Sequence, residues 1–583
     1  MRVLWVYFDI GTGNYLHYHH GVGAIDATLR EHGHDTKLLY FQKAPTRALI
    51  WGEVEIFSPD AIFFPINTHQ WMYARQVCDW IKERFSILTV AGGIHAILDP
   101  ENVIKHPTLD AVCICEGEYP SLELVENLKS GKPIWDTDGF YFKKNGEIVR
   151  NKFVPLVENL DEIPISRREI WDMASTIEDQ DWEVQIMGSR GCPYKCHYCA
   201  NSGRMQVYRG HGQFIRQRSV EHVLKEVEVL SDLYHFGRIF FEDDVFIMDK
   251  SWASEFCKKY KQRFSFPFKV YIRVEDTTYE ALRELKDAGC YMVSIGVEAG
   301  NERLRKRILN RHMSNDEIVR VFKWLDELQI KVWDFNMIGF PEETEKTIDD
   351  LFKLNRTLRP HIAQISIYYP YPGTALYKIC EKKGLLSKRE QTSYFEHSTL
   401  KLPDLPDDYI KQKFFEFRDE SLKIRAARYR KGHYDFVERL EDAAVKSSSP
   451  EPIKRQLFQI NGLSTVVILA HPRSEATWQL AIKPNTALRA FLGMYEYSWQ
   501  WGGEGAYFII QIEDESGKHE VFRRYVDPKN RPEDRRWIPI ELDLTRWGNK
   551  IVKISFITEP GPSGDLTGLW CGWGATHLFQ KEA

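Results

Sequence analysis

Two blocks of continuous apolar strands, each strand ending in a glycine-rich or polar loop, constrain this chain more than any other feature. The first block runs over residues 3–8, 37–41, 61–66, 87–90 and 111–115, with helical patterns between. The second runs over residues 184–188, 238–242, 269–274, 292–297, 332–338 and 363–369. A strand that is apolar on both faces must be covered on both, which is the condition of a parallel sheet flanked by helices. The fold class is therefore α/β: a Rossmann-like (flavodoxin-like), doubly wound domain over 1–130, then a partial (β/α)6 TIM-type barrel over 183–380. Between them, 131–182 carries Pro133, Pro155, Pro164 and an Asn145-Gly146 turn and reads as a connector. Residues 381–452 read as a helical extension that ends in a Ser/Pro linker at 446–452. From 453 to 583, short strands parted by Gly, Pro and Asn turns predict an all-β sandwich or jelly roll.

A length of 583 residues calls for several cores. A formal charge of −5 gives no reason to expect a polyanion, so no nucleic acid is expected. Charged residues interrupt every apolar run before the roughly 18 residues that a membrane span needs. The apolar opening meets Asp9 at once and has no small-residue cleavage site, so it is expected to be a first strand in a soluble, cytoplasmic chain. Ten cysteines are too sparse for a disulfide framework, and the only close grouping is Cys192, Cys196 and Cys199.

That grouping has C-x3-C-x2-C spacing directly after the first barrel strand, so one loop can curl three thiolates around a cuboidal cluster. Three thiolates leave one iron open to an outside ligand, whereas a structural cluster or a zinc site seeks a fourth protein ligand. His197 lies within the loop and would strain to complete a zinc site. Three unconnected buried thiols are the plain alternative, against which Gly191 and Pro193 mark a shaped loop.

The triplet, with Tyr198 just before its third cysteine, resembles the defining motif of the radical S-adenosylmethionine superfamily. The resemblance extends over later strand ends: Phe241-Glu-Asp-Asp244, Arg273, Ser294-Ile-Gly-Val-Glu-Ala-Gly300 and Gly339-Phe-Pro-Glu-Glu-Thr344. It implies a 4Fe-4S cluster on Cys192, Cys196 and Cys199, and S-adenosylmethionine on the open iron. Tyr198 would then lie near the adenine, with Glu242, Asp243, Arg273 and Glu298 as further contacts. Taken singly, each of these is as well explained by helix capping, an ion pair or a turn.

The first block is similar to the cobalamin-binding domains fused ahead of such barrels, over Ser58-Pro-Asp-Ala-Ile-Phe-Phe64, Ala91-Gly-Gly-Ile-His-Ala96 and Cys115-Glu-Gly-Glu-Tyr-Pro-Ser121. By that resemblance, cobalamin would lie on Gly11, Asn67, Thr68, His69, Gly92, Gly93, Glu116 and Gly117, with Gly92 and Gly93 suited to its nucleotide tail. The first rim loop, Asp9-Ile-Gly-Thr-Gly-Asn14, lacks the histidine that ligates cobalt in mutases, so no lower ligand is assigned. For His69 and His95, an ordinary hydrogen-bonded role is the simpler expectation.

The resemblance implies a cobalamin-dependent radical enzyme. It would cleave S-adenosylmethionine reductively to a 5′-deoxyadenosyl radical and C-methylate an unactivated carbon of a small-molecule or biosynthetic-intermediate substrate. An electron donor such as flavodoxin or ferredoxin is expected. A rearrangement or cyclisation without methyl transfer is the alternative. Methylthiotransferases bring a second cysteine triplet, which Cys78, Cys113 and Cys115 do not form. A glycan-binding scaffold with a vestigial barrel is opposed by the intact triplet. Trp499, Trp501, Trp537, Trp547, Trp570 and Trp573 of the last domain are expected in its core more than as sugar platforms.

Overall fold

The computed structural model describes all residues except 12–15, 181, 388, 390–392, 394, 430–433, 450–451, 461–462, 497, 502 and 582–583. Thr12, Gly13 and Asn14 of the first rim loop thus lie outside the described residues. The chain forms two compact units, Met1–Gln180 with Val184–Ile424, and Asp181–Glu183 with Arg425–Ala583.

In the first unit, β1 (Arg2–Phe8), β2 (Asp35–Phe41), β3 (Ala61–Pro65), β4 (Leu88–Gly92), β5 (Ala111–Cys113), β6 (Phe140–Lys144) and β7 (Glu147–Arg150) form one sheet. Its order is β2-β1-β3-β4-β5-β6-β7. The first five strands pair in parallel and the last two add antiparallel. The parallel part has flavodoxin-like order, which puts the topological switch between β1 and β3 and the ligand crevice beyond their carboxyl ends. Leu4, Val6, Phe8, Ile62 and Phe64 fill the core on one face. On the other face Trp5 meets Phe63 edge to face at 5.2 Å.

The sheet reaches further along the chain than expected. Asn145 at φ 52 and Gly146 at φ 86 close a hairpin whose strands β6 and β7 extend the sheet to residue 150, so the segment after 131 is not all connector. The antiparallel strand β6 alternates, with Phe140 and Phe142 buried and the residues between them half-exposed, and therefore lacks the continuous apolar run that marks the parallel strands.

The second sheet of this unit comprises β8 (Glu183–Ile186), β9 (Arg238–Phe241), β10 (Phe268–Ile272), β11 (Cys290–Glu298), β12 (Lys331–Ile338) and β13 (Ile362–Ile367). They are neighbours in the order β13-β12-β11-β10-β9-β8, with parallel pairing from β9 to β13. This is the six-stranded half-barrel. Phe241 packs against Phe256 and Tyr260 of the helix Lys250–Arg263. The capping box of Ser314 and Glu317 starts the helix Asn315–Glu327, which buries Ile318, Val321, Phe322 and Leu325 as the sequence pattern requires.

The second unit is a β-sandwich of two antiparallel sheets. Ala444–Ser447 pairs with Ser474–Ala481, and Tyr434–Asp435 with Cys571–Gln580, so strands of the sandwich precede residue 453 and occupy the start of the expected linker. In its centre Trp573 stacks on Phe556, which Trp478 meets edge to face. Trp547 is buried too, while Trp499, Trp537 and Trp570 are half-buried and the Trp501 side chain lies outside the described residues. Among the described residues no helix is long and apolar enough to cross a membrane.

Candidate active site

The cysteine loop leaves β8 through Ser189–Arg190, which pairs antiparallel with Arg216–Gln217. Gly191 turns the chain at φ 88, where a Cβ would meet the Phe214 carbonyl oxygen at 2.3 Å, so the position admits only glycine. Cys192 and Cys196 are buried, Cys199 begins the helix Ala200–Val207, and none of the three is in a disulfide. Burial pushes the Cys192 thiol up to about 11 and that of Cys199 to about 12. Cys192 and Cys199 are therefore poor nucleophiles in the loop alone, whereas a bound cation would deprotonate them. Among the described residues no three His, Cys, Asp or Glu side chains could hold one metal ion, as zinc would require. A cuboidal cluster instead takes one sulfur at each of three corners. His197 is committed to the loop's anchorage, its Nδ1 2.9 Å from the Ile308 carbonyl oxygen.

The strand ends bring several of the expected residues to this loop. Arg273, just past β10, donates from Nη1 to Cys196 Sγ at 3.3 Å and from Nη2 to Glu275 at 2.7 Å, and its guanidinium lies 3.6 Å from the centre of the Tyr194 ring. The Tyr198 hydroxyl donates to Glu298 at 2.9 Å, and Arg311 Nη1 reaches the same carboxylate oxygen at 3.2 Å. Glu298 closes β11 at φ 67, a left-handed conformation that costs free energy in a non-glycine residue. Ser294 Oγ and Arg311 Nε nearby are buried and meet no partner among the described residues.

The three acidic residues after β9 diverge. Asp243 is buried, with one oxygen 2.5 Å from Ser189 Oγ and the other accepting from the Gly188 N–H at 3.2 Å. Burial pushes it up to about 6 despite those bonds. Its oxygens are engaged in holding the start of the cysteine loop. Glu242 turns to the amino-terminal domain and meets His20 Nε2 at 3.0 Å. Asp244, which the family pattern did not single out, lines the main cavity and accepts from Asn201 at 2.7 Å.

That cavity, of about 480 Å³, opens beyond the carboxyl ends of β1, β3, β4 and β5. Trp5, Phe63, Val90 and Ile25 give it apolar walls, Gly92 and Gly93 a bare floor, and Ser189, Arg190, Gly191 and Asp244 the side nearest the cysteine loop. The Tyr208 hydroxyl and Glu118 Oε2 on its wall are buried without a partner among the described residues. Gly117 borders it where a Cβ would meet Ile25 Cδ1 at 2.6 Å. Glu116 also lines it, yet its oxygens are held by Arg216 at 2.7 and 2.9 Å and by Arg190 at 3.2 Å. Burial pushes the Glu116 carboxyl up, and the two guanidiniums more than reverse this, to about 2. Gly11, Thr68 and His69 line a separate cavity of about 230 Å³, and Asn67 borders both. His69 Nε2 lies 3.3 Å from the Tyr371 hydroxyl and His95 Nδ1 3.2 Å from Thr68 Oγ1.

Residues 186–354 match the Radical SAM superfamily and residues 9–125 the B12 binding domain. The chain thus carries a Radical SAM domain preceded by a B12-binding domain. It is 28% identical over 378 residues to an uncharacterized methyltransferase, PH0819, of Pyrococcus horikoshii, a match spanning 64% of this chain and 79% of that protein. It is 26% identical over 311 residues to the anaerobic magnesium-protoporphyrin IX monomethyl ester cyclase of Rubrivivax gelatinosus, spanning 50% of this chain and 53% of that one. Among solved structures, the radical S-adenosylmethionine methyltransferase TsrM of Kitasatospora setae, with cobalamin and a [4Fe-4S] cluster bound, shares the fold. Its TM-score is 0.52 at 15% identity, over 67% of this chain and 76% of that one.

The family's cofactors are a [4Fe-4S] cluster, S-adenosylmethionine and, through the B12 domain, cobalamin. The residues present fit them. Three free cysteines share one shaped loop, partnerless polar atoms face the half-barrel rim, and a bare-floored apolar cavity lies at the switch point.

Proposed function

We propose that this protein transfers a methyl group to an unactivated carbon of a small-molecule or biosynthetic-intermediate substrate. The observation that carries the reading is the continuity of the main cavity, whose lining runs from Trp5, Phe63 and Gly92 in the amino-terminal sheet to Arg190, Gly191 and Asp244 beside the cysteine loop. A methyl carrier in one wall and a radical initiator in the other would then act on the same enclosed space. When bound, the cluster with S-adenosylmethionine supplies a carbon-centred radical initiator, and cobalamin supplies a transferable methyl.

The chain's own residues do the holding and aiming. Cys192, Cys196 and Cys199 would grip the cluster. Tyr198, Glu298 and Arg311 form the polar wall that S-adenosylmethionine would meet, and Arg273 places a positive charge against Cys196. Gly92, Gly93 and Gly117 would let the nucleotide tail of cobalamin approach the backbone closely, beside the apolar Trp5 and Phe63. Asn67 and Asp244 offer polar contacts at the mouth. Asp243 and Glu116 act indirectly, the first by fixing Ser189 and the second by tying Arg190 and Arg216 to the amino-terminal domain. Ten cysteines without a disulfide among them suit a reducing cytoplasm.

The test is anaerobic incubation with methyl-deuterated S-adenosylmethionine and a cell extract. The expected product carries the deuterated methyl and requires added cobalamin. Release of 5′-deoxyadenosine with no label in any product would favour rearrangement or cyclisation instead.

A further inference from the structure

The outer wall of the cysteine loop carries a concentration of positive charge that neither the cluster nor the substrate accounts for. Two segments are hydrogen-bonded to this loop. The His197 N–H donates to Leu309 O at 3.1 Å and Asn310 Nδ2 donates to Lys195 O at 2.8 Å, which joins the loop to the end of the helix Glu302–Arg307. The Leu376 N–H donates to His197 O at 2.9 Å, which joins it to the start of the helix Ala375–Lys382. The first helix buries Leu304 and Arg305 and exposes Arg303, Lys306 and Arg307 together. The second ends in exposed Lys382, followed by exposed Lys383, and the loop itself exposes Lys195.

The same stretches carry two carboxylates, Glu302 and Glu381, and meet a third, Glu342. Glu342 is shared by Lys383 at 2.7 Å and Arg307 at 3.8 Å, Glu302 accepts from the Asn315 N–H at 2.5 Å, and Glu381 is exposed. The excess of positive charge stands on a chain whose formal charge is −5. It lies beside the loop in which Pro193 and Lys195, between the first two cysteines, are exposed. A charged patch of this kind steers an oppositely charged partner and sets its orientation.

We infer that the face formed by Lys195, Arg303, Lys306, Arg307, Lys382 and Lys383 docks an acidic one-electron carrier protein of the flavodoxin or ferredoxin class. The inference rests on the reading of the cysteine loop as the cluster site. One electron leaves the reduced carrier and enters the oxidised cluster, [4Fe-4S]2+ becoming [4Fe-4S]1+, and the carrier departs one electron more oxidised. No atom is transferred.

The test is stopped-flow bleaching of the cluster absorbance in the reconstituted full-length protein, with neither S-adenosylmethionine nor substrate present. Arg303→Glu, Lys306→Glu and Lys382→Glu are combined, since all three side chains are exposed. Two reductants are compared: flavodoxin hydroquinone, a protein anion, and reduced methyl viologen, a small cation. With flavodoxin at low ionic strength, the second-order rate constant is expected to fall at least about tenfold, and the difference from wild type to shrink as salt screens the charges. The viologen rate should not fall. Unchanged flavodoxin kinetics, or an equal loss with both reductants, overturns the docking face. Binding of wild-type protein to RNA or phosphatidylglycerol vesicles that the variant loses, with flavodoxin kinetics unchanged, also overturns it and assigns the patch to a polyanion. If the wild-type protein assembles no iron-sulfur chromophore, the reading of the cysteine loop fails and the docking face with it.

Discussion

Arg273 Nη1 donates to Cys196 Sγ across 3.3 Å while its guanidinium lies 3.6 Å from the centre of the Tyr194 ring. A cation hydrogen-bonded to a cluster sulfur stabilises the reduced, more negative cluster over the oxidised one. Arg273→Gln removes that charge, so the midpoint potential should fall by on the order of 50 mV, about 1 kcal/mol for one electron. Potentiometric titration followed by electron paramagnetic resonance measures it, and an unchanged potential would assign Arg273 to S-adenosylmethionine alone.

Glu116 ties Arg190 and Arg216 to the amino-terminal domain in a buried cluster of charges. Glu116→Ala leaves the buried Arg216 without its carboxylate, while Arg190 keeps Glu118 at 2.6 Å, and should cost about 3–5 kcal/mol, read as a lowered unfolding midpoint in denaturant. The carboxyl is held down at about 2 in the folded chain, against an unfolded value near 4.5. Its contribution is therefore complete above about pH 4.5, shrinks as the pH falls, and is gone near pH 2. Unfolding curves of wild type and Glu116→Ala should converge across that window.

Neighbouring glycines in the cavity floor should respond differently. A Cβ on Gly92 meets only Cys113 Cβ at 3.5 Å, whereas one on Gly93, at φ 93, meets Ile66 O at 2.9 Å. Gly92→Ala should fold as wild type, and Gly93→Ala should lose roughly 1–2 kcal/mol from backbone strain alone. Gly92→Trp projects a large side chain into the cavity. It should abolish cobalt uptake while iron content stays at about four per chain, the number a cubane holds, as metal analysis of anaerobically purified protein would show.

Much of this was legible in the sequence because it rests on period and spacing. Parallel strands buried on both faces leave continuous apolar runs, and those runs located all six half-barrel strands and the five parallel strands of the first sheet. The cysteine spacing located the loop. Side-chain direction was less legible. Glu242, Asp243 and Asp244 are consecutive, yet they face the amino-terminal domain, the base of the cysteine loop and the cavity in turn, a divergence that only tertiary packing decides. Arg311 went unnoticed because it follows a helix end with no motif around it, although it meets Glu298 at 3.2 Å. The rim position of Glu116 was legible, whereas its partners Arg190 and Arg216 come from distant sequence.

The central claim is that three thiolates leave one cluster corner free for S-adenosylmethionine. The electron paramagnetic resonance spectrum of the anaerobically reduced protein, recorded before and after S-adenosylmethionine is added, tests it most directly. The account predicts a reduced [4Fe-4S] signal whose g values shift on addition and which is lost in Cys192→Ala. A signal that S-adenosylmethionine leaves unchanged, or one that survives loss of Cys192, would contradict it.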